Sequence, residues 1–195
     1  MLEKQSKKKS SIKNLIKDLE KTELIEVIIE LTKIDRKNEK FIKVFILGSK
    51  ENNHLNILTE AKEKLRKVFF GKSSLQNDRI NLKNGRDIIS EYSKILKGFS
   101  ESIIDLKLYY VELGVEILVD WGDMYEAFYS SMESMLVNVC NDIFKNPDIY
   151  PDYSKRLNML IEKTKDVGWG FHDFVCDTVC NLENRIGIND NEGDD

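Results

Sequence analysis

The segment around the second tryptophan combines residue types that proton transfer or metal binding requires. It reads GWGFHD over residues 168–173, with two glycines that let the backbone turn and a histidine beside a carboxylate. A histidine next to a carboxylate can act as a general base or bind a metal ion. A structural interpretation uses the same residues: Gly168 ends one helix, Trp169 packs in a seam, and Asp173 stabilises the positive end of the next helix. Because the sequence identifies no further polar partner for His172, the structural interpretation is favoured.

A series of thiols follows on the same predicted helix. His172, Cys176 and Cys180 recur every four residues, and Cys140 lies on another predicted helix. Three thiolates and an imidazole form a known structural zinc set. The spacing argues against such a site, because residues eight apart on a helix stand ~12 Å apart along its axis. We therefore expect buried structural thiols, and the odd number of cysteines without staple-like spacing favours a reducing compartment.

A third group of residues is acidic and lies on a long predicted helix and the turn after it. Its members are Glu101, Asp105, Glu112, Glu116, Asp120, Asp123 and Glu126. Asp105, Glu112 and Glu116 share one helix face, where carboxylates of helical bundles can hold Mg²⁺, Mn²⁺ or a pair of metal ions. Such sites normally add histidine, and neither His54 nor His172 lies on this helix. The favoured interpretation is an acidic face that is solvated or docks on a basic surface.

The two halves of the chain carry opposite charge. Residues 1–100 hold 23 Lys and Arg against 14 Asp and Glu, whereas residues 101–195 hold 7 against 20, giving formal charges of +9 and −13. The basic residues form two clusters: Lys4, Lys7, Lys8, Lys9, Lys13 and Lys17, then Lys62, Lys64, Arg66 and Lys67. Basic clusters can bind phosphate backbones. Interleaved glutamates, few aromatic residues before Phe41 and the lack of a nucleic-acid motif argue against that partner. The asymmetry indicates a docking surface, within the chain or on another protein.

Length and composition predict a helical globular protein. The chain of 195 residues is 41% apolar, and its only prolines are Pro147 and Pro151. Few prolines and long stretches of 3.6-residue periodicity favour helix over strand. The apolar runs are far shorter than the ~18 residues of a membrane span, and no apolar signal region follows the basic N-terminus, so we expect no membrane partner and a cytoplasmic location. No phosphate-binding loop, dinucleotide fingerprint or nucleophile elbow is present in the sequence.

Eight or nine helices are expected, packed antiparallel in a bundle or in a short stack of helix pairs. Their predicted ranges are about 11–20, 22–33, 36–47, 53–70, 84–98, 100–120, 124–145, 152–165 and 171–185. Asn84 is the predicted cap of the fifth helix, and Asp123 with Glu126 resembles a capping box. We expect one domain over residues 11–187. If it has a subdomain boundary, the polar loop 71–84 is the best candidate for it. The basic residues 1–10 and acidic residues 188–195 carry too little apolar surface to order themselves.

Three stretches of the chain read as motifs. They are DLKLYYVELGVE (105–116), GD with EAFYSSMESM (122–123 and 126–135), and GWGFHD (168–173). Together they resemble a family of small bacterial proteins known as domain of unknown function 6155, and the resemblance covers about residues 11–183. It implies an all-helical fold and no assigned activity, so no catalytic residue is carried over. Cys176 and Cys180 lie outside the family pattern, which further weakens the zinc interpretation.

The favoured function is a protein-binding or scaffolding module, with a protein partner or a second copy of the chain as its ligand. The candidate surface combines aromatic side chains with polar tips and glycine turns, which is typical of contact surfaces. Its residues are Tyr109, Tyr110, Glu112, Glu116, Trp121, Asp123, Tyr125, Tyr129, Trp169, His172 and Asp173. No catalytic residue, metal or cofactor is assigned. One alternative is a metal-dependent hydrolase using Asp105, Glu112, Glu116 and His172, and another is a non-specific nucleic-acid binder using the basic N-terminal half.

Overall fold

The periodic stretches of the sequence form helices. The computed structural model describes residues 11–48, 53–71 and 80–188, and within these ranges it contains nine α-helices, one 3₁₀ turn and no strand. The first five are α1 (Ile12–Lys17), α2 (Lys21–Ile34), α3 (Arg36–Leu47), α4 (Asn53–Phe70) and α5 (Leu82–Ile95). The others are α6 (Ser100–Trp121), α7 (Glu126–Phe144), α8 (Tyr150–Thr164), which follows the 3₁₀ turn Pro147–Ile149, and α9 (Phe171–Arg185). The prediction of an all-α fold with eight or nine helices is confirmed.

The longest helix, α6, lies at the centre of the packing. Half of its 22 residues are buried, and they include Leu106, Leu108, Val111 and Leu113 on several sides of the helix. It packs against α4, α5, α7 and α8. A helix that is apolar on most of its circumference is stable only inside a core, so these four helices must cover it.

Helices α6 to α9 form a closed ring. Helix α7 packs on α6 and α9, while α8 packs on α9 and α6. The helices α4 and α5 pack on each other and on α6, and they form a second layer. Helix α3 packs on α4 and α5, and α2 packs mainly on α3. The buried core therefore lies in α4–α9, and the first helices lie at its periphery.

Two of the predicted helix caps differ from those in the structure. Asn81, rather than Asn84, caps α5, and its side-chain oxygen accepts a hydrogen bond from the backbone N–H of Asn84 at 3.0 Å. Tyr125 precedes α7, so Asp123 and Glu126 do not form the predicted capping box. Each predicted cap lies within about one helical turn of the observed start, so the prediction was wrong about the position of the cap and not about the presence of the helix.

The predicted loop and tails fall mainly on residues that are not described. Residues 1–10, 72–79 and 189–195 lie outside the described ranges. The helices on either side of the 71–84 loop, α4 and α5, pack directly against each other. Within the described ranges, no helix combines the length and apolar character needed to cross a membrane.

Candidate functional site

Tyr110 of the predicted surface is a core residue. Its side chain is fully buried, and its hydroxyl lies 2.8 Å from the Ser131 hydroxyl of α7. Its ring meets the ring of Phe69 edge-on, with the centroids 5.1 Å apart. Burial raises the pKa of the phenol above its ordinary value. Tyr110 therefore joins α4, α6 and α7 and is not available to a ligand.

The other tyrosines also make contacts within the protein. Tyr129 is buried, its ring packs on Phe171 with centroids 5.6 Å apart, and its hydroxyl donates to the Asp123 carboxylate at 3.4 Å. The hydroxyl of Tyr125 donates to the carbonyl of Ile80 at 3.0 Å. The half-buried ring of Tyr109 lies under the ammonium of Lys62, which is 5.4 Å from its centroid. These side chains connect helices rather than form an open surface.

The two tryptophans are the exposed aromatic side chains of the predicted surface. Trp121 is 45% and Trp169 80% exposed. Trp169 has a positive φ of 61° and is followed by Gly170 at 73°, so the chain turns sharply and directs this ring outward. A Cβ placed on Gly168 would stand 3.9 Å from an Asp123 carboxylate oxygen. The turns carrying the two tryptophans therefore lie side by side at one end of the α6–α9 ring.

His172 is held by neighbouring helical residues. Its Nδ1 lies 3.1 Å from the hydroxyl of the buried Thr164, at the end of α8. Its Nε2 lies 3.5 Å from the sulfur of Cys176 one turn later. The adjacent Asp173 is exposed in the first turn of α9. The histidine thus links α8 to α9. Trp169, which the structural interpretation expected to pack in a seam, is instead 80% exposed, so that part of the prediction is wrong.

The three cysteines form no disulfide bond within the described ranges and lie in different environments. Cys140 is buried, and burial raises the pKa of its thiol to about 12. Burial and the carboxylates of Asp173 and Asp177 raise the pKa of Cys176. Cys180 is exposed. Within the described ranges, no three His, Cys, Asp or Glu side chains are arranged to hold a metal ion.

The acidic face of α6 is occupied by cations of the same chain. Arg156 of α8 donates to both oxygens of Glu112, at 2.7 and 2.8 Å, and to Asp105 at 2.6 Å. Burial alone would lower the pKa of Arg156, but the hydrogen bonds and charges of the two carboxylates outweigh it and raise this pKa. The other Asp105 oxygen accepts from Lys62 of α4 at 2.7 Å. These contacts neutralise the carboxylates that could have bound metal.

Part of the charge asymmetry is therefore satisfied within the chain. Lys62 pairs with Asp105, and Arg66 pairs with Glu116 at 3.3 Å, so the basic helix α4 meets the acidic helix α6. Both cations belong to the second of the predicted basic clusters. Lys4, Lys7, Lys8 and Lys9 of the first cluster lie outside the described residues.

An exposed apolar surface lies on the first three helices. Helix α2 has no buried residue. Its large apolar side chains are each 43–47% exposed, namely Ile25, Val27, Ile28, Ile29 and Leu31. Helix α1 also has none, and only Val44 is buried in α3. We define the N-terminal apolar face as Ile12, Leu15, Ile16, Ile25, Val27, Ile28, Ile29, Leu31, Ile34, Phe41, Phe45 and Ile46. It is the largest group of exposed apolar side chains on any three consecutive helices of the described chain.

The sequence contained a signal for this face. The apolar residues of α2 point in most directions around the helix, and such a helix is normally buried. The structure leaves them without sufficient cover, because α2 packs mainly on α3 alone.

Comparison with known proteins adds no assignment. No family model, curated protein or solved structure matches the chain. The resemblance to domain of unknown function 6155 stays a prediction.

Proposed function

We propose that this protein is a helical binding module that associates with a second copy of itself through the N-terminal apolar face. The observation that carries the proposal is helix α2, which has apolar residues on most sides and no buried residue. Exposed clusters of this kind mark interaction surfaces in folded proteins. The core in α4–α9 is complete without this helix, so α2 is free to pack against another chain.

The exposed apolar area is comparable in size to one side of a protein interface. The twelve side chains of the face are 38–78% exposed. If each exposes about half of ~150 Å², an upper figure for aliphatic side chains, the twelve together expose at most roughly 900 Å², and the part that faces one partner is available to the interface. A standard protein interface buries about 800 Å² on each partner.

The charge of the region supports a second copy as the partner. The described residues 11–48 hold 8 Lys and Arg against 7 Asp and Glu, which is nearly neutral in a chain whose halves carry +9 and −13. In a two-fold dimer the same patch meets itself, so a strongly charged patch would repel its own copy. A nearly neutral apolar patch has no such penalty.

The arrangement of α2 and α3 also suits a dimer. They are joined by Asp35 alone, and they contact each other. Two such helix pairs, one from each chain, can bury their apolar sides together as a four-helix bundle between chains. A scaffold that joins two copies of the α4–α9 core would result.

Sedimentation analysis of the full chain tests the proposal. The wild type should be a dimer at micromolar concentration, and Ile28→Lys should weaken association at least about a hundredfold, because it places a charge in an apolar interface. Thr22→Lys adds the same charge to an exposed polar position of α2 and should leave the dimer intact. Ile28 lies outside the core, so circular dichroism should show both variants folded.

A monomeric wild type at all accessible concentrations would overturn self-association. Equal dissociation of the dimer by both lysine variants would show that charge, and not the apolar face, controls it.

A further inference from the structure

An open groove of about 800 Å³ lies between α5 and the first turns of α7. Its cationic side chains are Lys83 and Arg86 of α5, and three serine residues of α7 face them, namely Ser130, Ser131 and Ser134. Leu82 and Ala127 add apolar lining. The groove shares no residue with the N-terminal apolar face.

Arg86 is fixed in this groove by neutral groups. Its Nε donates to the Ser131 hydroxyl at 3.0 Å, and its Nη2 donates to the Ser131 carbonyl at 2.9 Å and to the Ser134 hydroxyl. The buried Tyr110 hydroxyl holds the same Ser131 hydroxyl from the opposite side. The guanidinium is therefore positioned in advance, which lowers the entropy cost of binding a ligand.

The charge of Arg86 is not neutralised by a carboxylate. In the described ranges it forms no ion pair, whereas Arg156 contacts two carboxylates and Arg66 contacts one. Its hydrogen bonds use Nε and Nη2, and Nη1 has no acceptor among the described residues. Lys83, one turn earlier, also forms no ion pair within the described ranges. A half-buried cation with unused donors is suited to an anion.

The start of α7 adds to the positive potential. Glu126 and Ala127, the first two residues of this 19-residue helix, line the groove, and the preceding Tyr125 provides no side-chain cap bond. The amino end of a helix carries a partial positive charge. Glu126 and Asp87 oppose it with two carboxylates on the groove, so these residues are expected to weaken binding of an anion.

We propose that this groove binds the phosphate group of a small phosphomonoester. Arg86 Nη1, the Lys83 ammonium and the exposed Ser130 hydroxyl are the donors, and the apolar lining contacts the organic part. Ligand pockets typically measure about 300–1,000 Å³, so the groove has room for more than a phosphate ion. Phosphate suits a guanidinium because two of its oxygens can accept parallel hydrogen bonds.

Calorimetric titration of the full chain with phenyl phosphate and with inorganic phosphate tests the site. Saturable binding is expected for both, and phenyl phosphate should bind more tightly. Arg86→Gln should weaken binding at least about tenfold and Lys83→Gln about threefold, since each removes a charge-assisted donor. Glu126→Gln should tighten binding about threefold because it removes a repelling carboxylate. Lys94→Gln makes the same charge change on an exposed part of α5 and should have no effect.

Lys83 and Glu126 are not part of the contacts that join α5 to α7, so their variants keep the test valid if Arg86→Gln fails to fold. Absence of saturable binding at millimolar phenyl phosphate would overturn the proposal. So would equal affinity of the wild type, Lys83→Gln and Glu126→Gln. Equal affinity for inorganic phosphate and phenyl phosphate would overturn the assignment to a phosphomonoester.

Discussion

Arg156 shows how one side chain determines the character of the acidic face. It donates three hydrogen bonds from α8 to Glu112 and Asp105 of α6. The side chains of all three residues are only 22–28% exposed, so water screens the ion pairs incompletely. A sequence shows the shared face of the carboxylates but does not show which distant cation will meet it.

Arg156→Gln should lower the free energy of unfolding by about 2 kcal/mol. The change leaves Glu112 without its cationic partner, and loss of one partner from a fully buried pair costs about 3–5 kcal/mol before the discount for partial exposure. Urea unfolding at neutral pH measures the effect. Lys155→Gln, at the neighbouring exposed position, should change stability by less than about 0.5 kcal/mol, and equal losses in the two variants would contradict the assigned role.

Asp142 predicts how stability depends on pH. Burial alone would raise its pKa, but hydrogen bonds and charges from Lys107 and Lys145 outweigh burial and hold the pKa below its ordinary value. Since the folded pKa lies below the unfolded value of about 3.9, its contribution is present above about pH 4 and is lost as pH falls through the folded pKa. Asp142→Asn should therefore be about 1 kcal/mol less stable than wild type at pH 7, and this difference should shrink in acid.

Urea unfolding of wild type and Asp142→Asn between pH 7 and about pH 2 provides the measurement. Asp166→Asn, at an exposed position, is the matched control and should follow the wild type throughout. A difference between wild type and Asp142→Asn that stays constant across this range would refute the mechanism.

The contact between α6 and α7 depends on the absence of a side chain. Gly114 lies in the middle of α6, where glycine costs roughly 1 kcal/mol of helix stability relative to alanine. A Cβ at this position would overlap the Met132 sulfur and lie 2.8 Å from the Met132 Cγ. The glycine thus permits α7 to approach the central helix closely.

Gly114→Ala should destabilise the protein by about 1–2 kcal/mol despite the better helix propensity of alanine. Added volume in a packed core typically costs 1–3 kcal/mol, part of which the propensity gain offsets. Thermal unfolding followed by circular dichroism checks this. Val119→Ala on the exposed part of α6 serves as control, and a gain of stability in Gly114→Ala would show that Met132 moves aside at little cost.

The helices were easier to predict from the sequence than the tertiary contacts that they make. The 3.6-residue pattern identified α3, α4 and α9 with nearly their observed bounds, because the pattern is a local property. The start of α7 at Glu126 was missed by two residues, since Asp123 accepts from Tyr129 instead of capping the helix. Burial of Tyr110 and exposure of Trp169 depend on tertiary contacts, so the aromatic surface was predicted only in part.

The molecule as a whole combines a well-packed core with exposed apolar side chains on its first three helices. Helices α4, α5, α7 and α8 pack around α6, and ion pairs from α4 and α8 cover its acidic face. Helices α1–α3 carry the N-terminal apolar face, which stays exposed. A division of this kind is expected of a module whose first helices are completed by a second chain.

Hydrogen exchange of the wild type and Ile28→Lys at the same micromolar concentration tests the central claim most directly. The self-association account predicts that backbone amides of α2 and α3 exchange much faster in the variant, while those of α6 are protected equally in both proteins. Equal protection of α2 in the two proteins would contradict it, because the apolar face would then be stable without a partner.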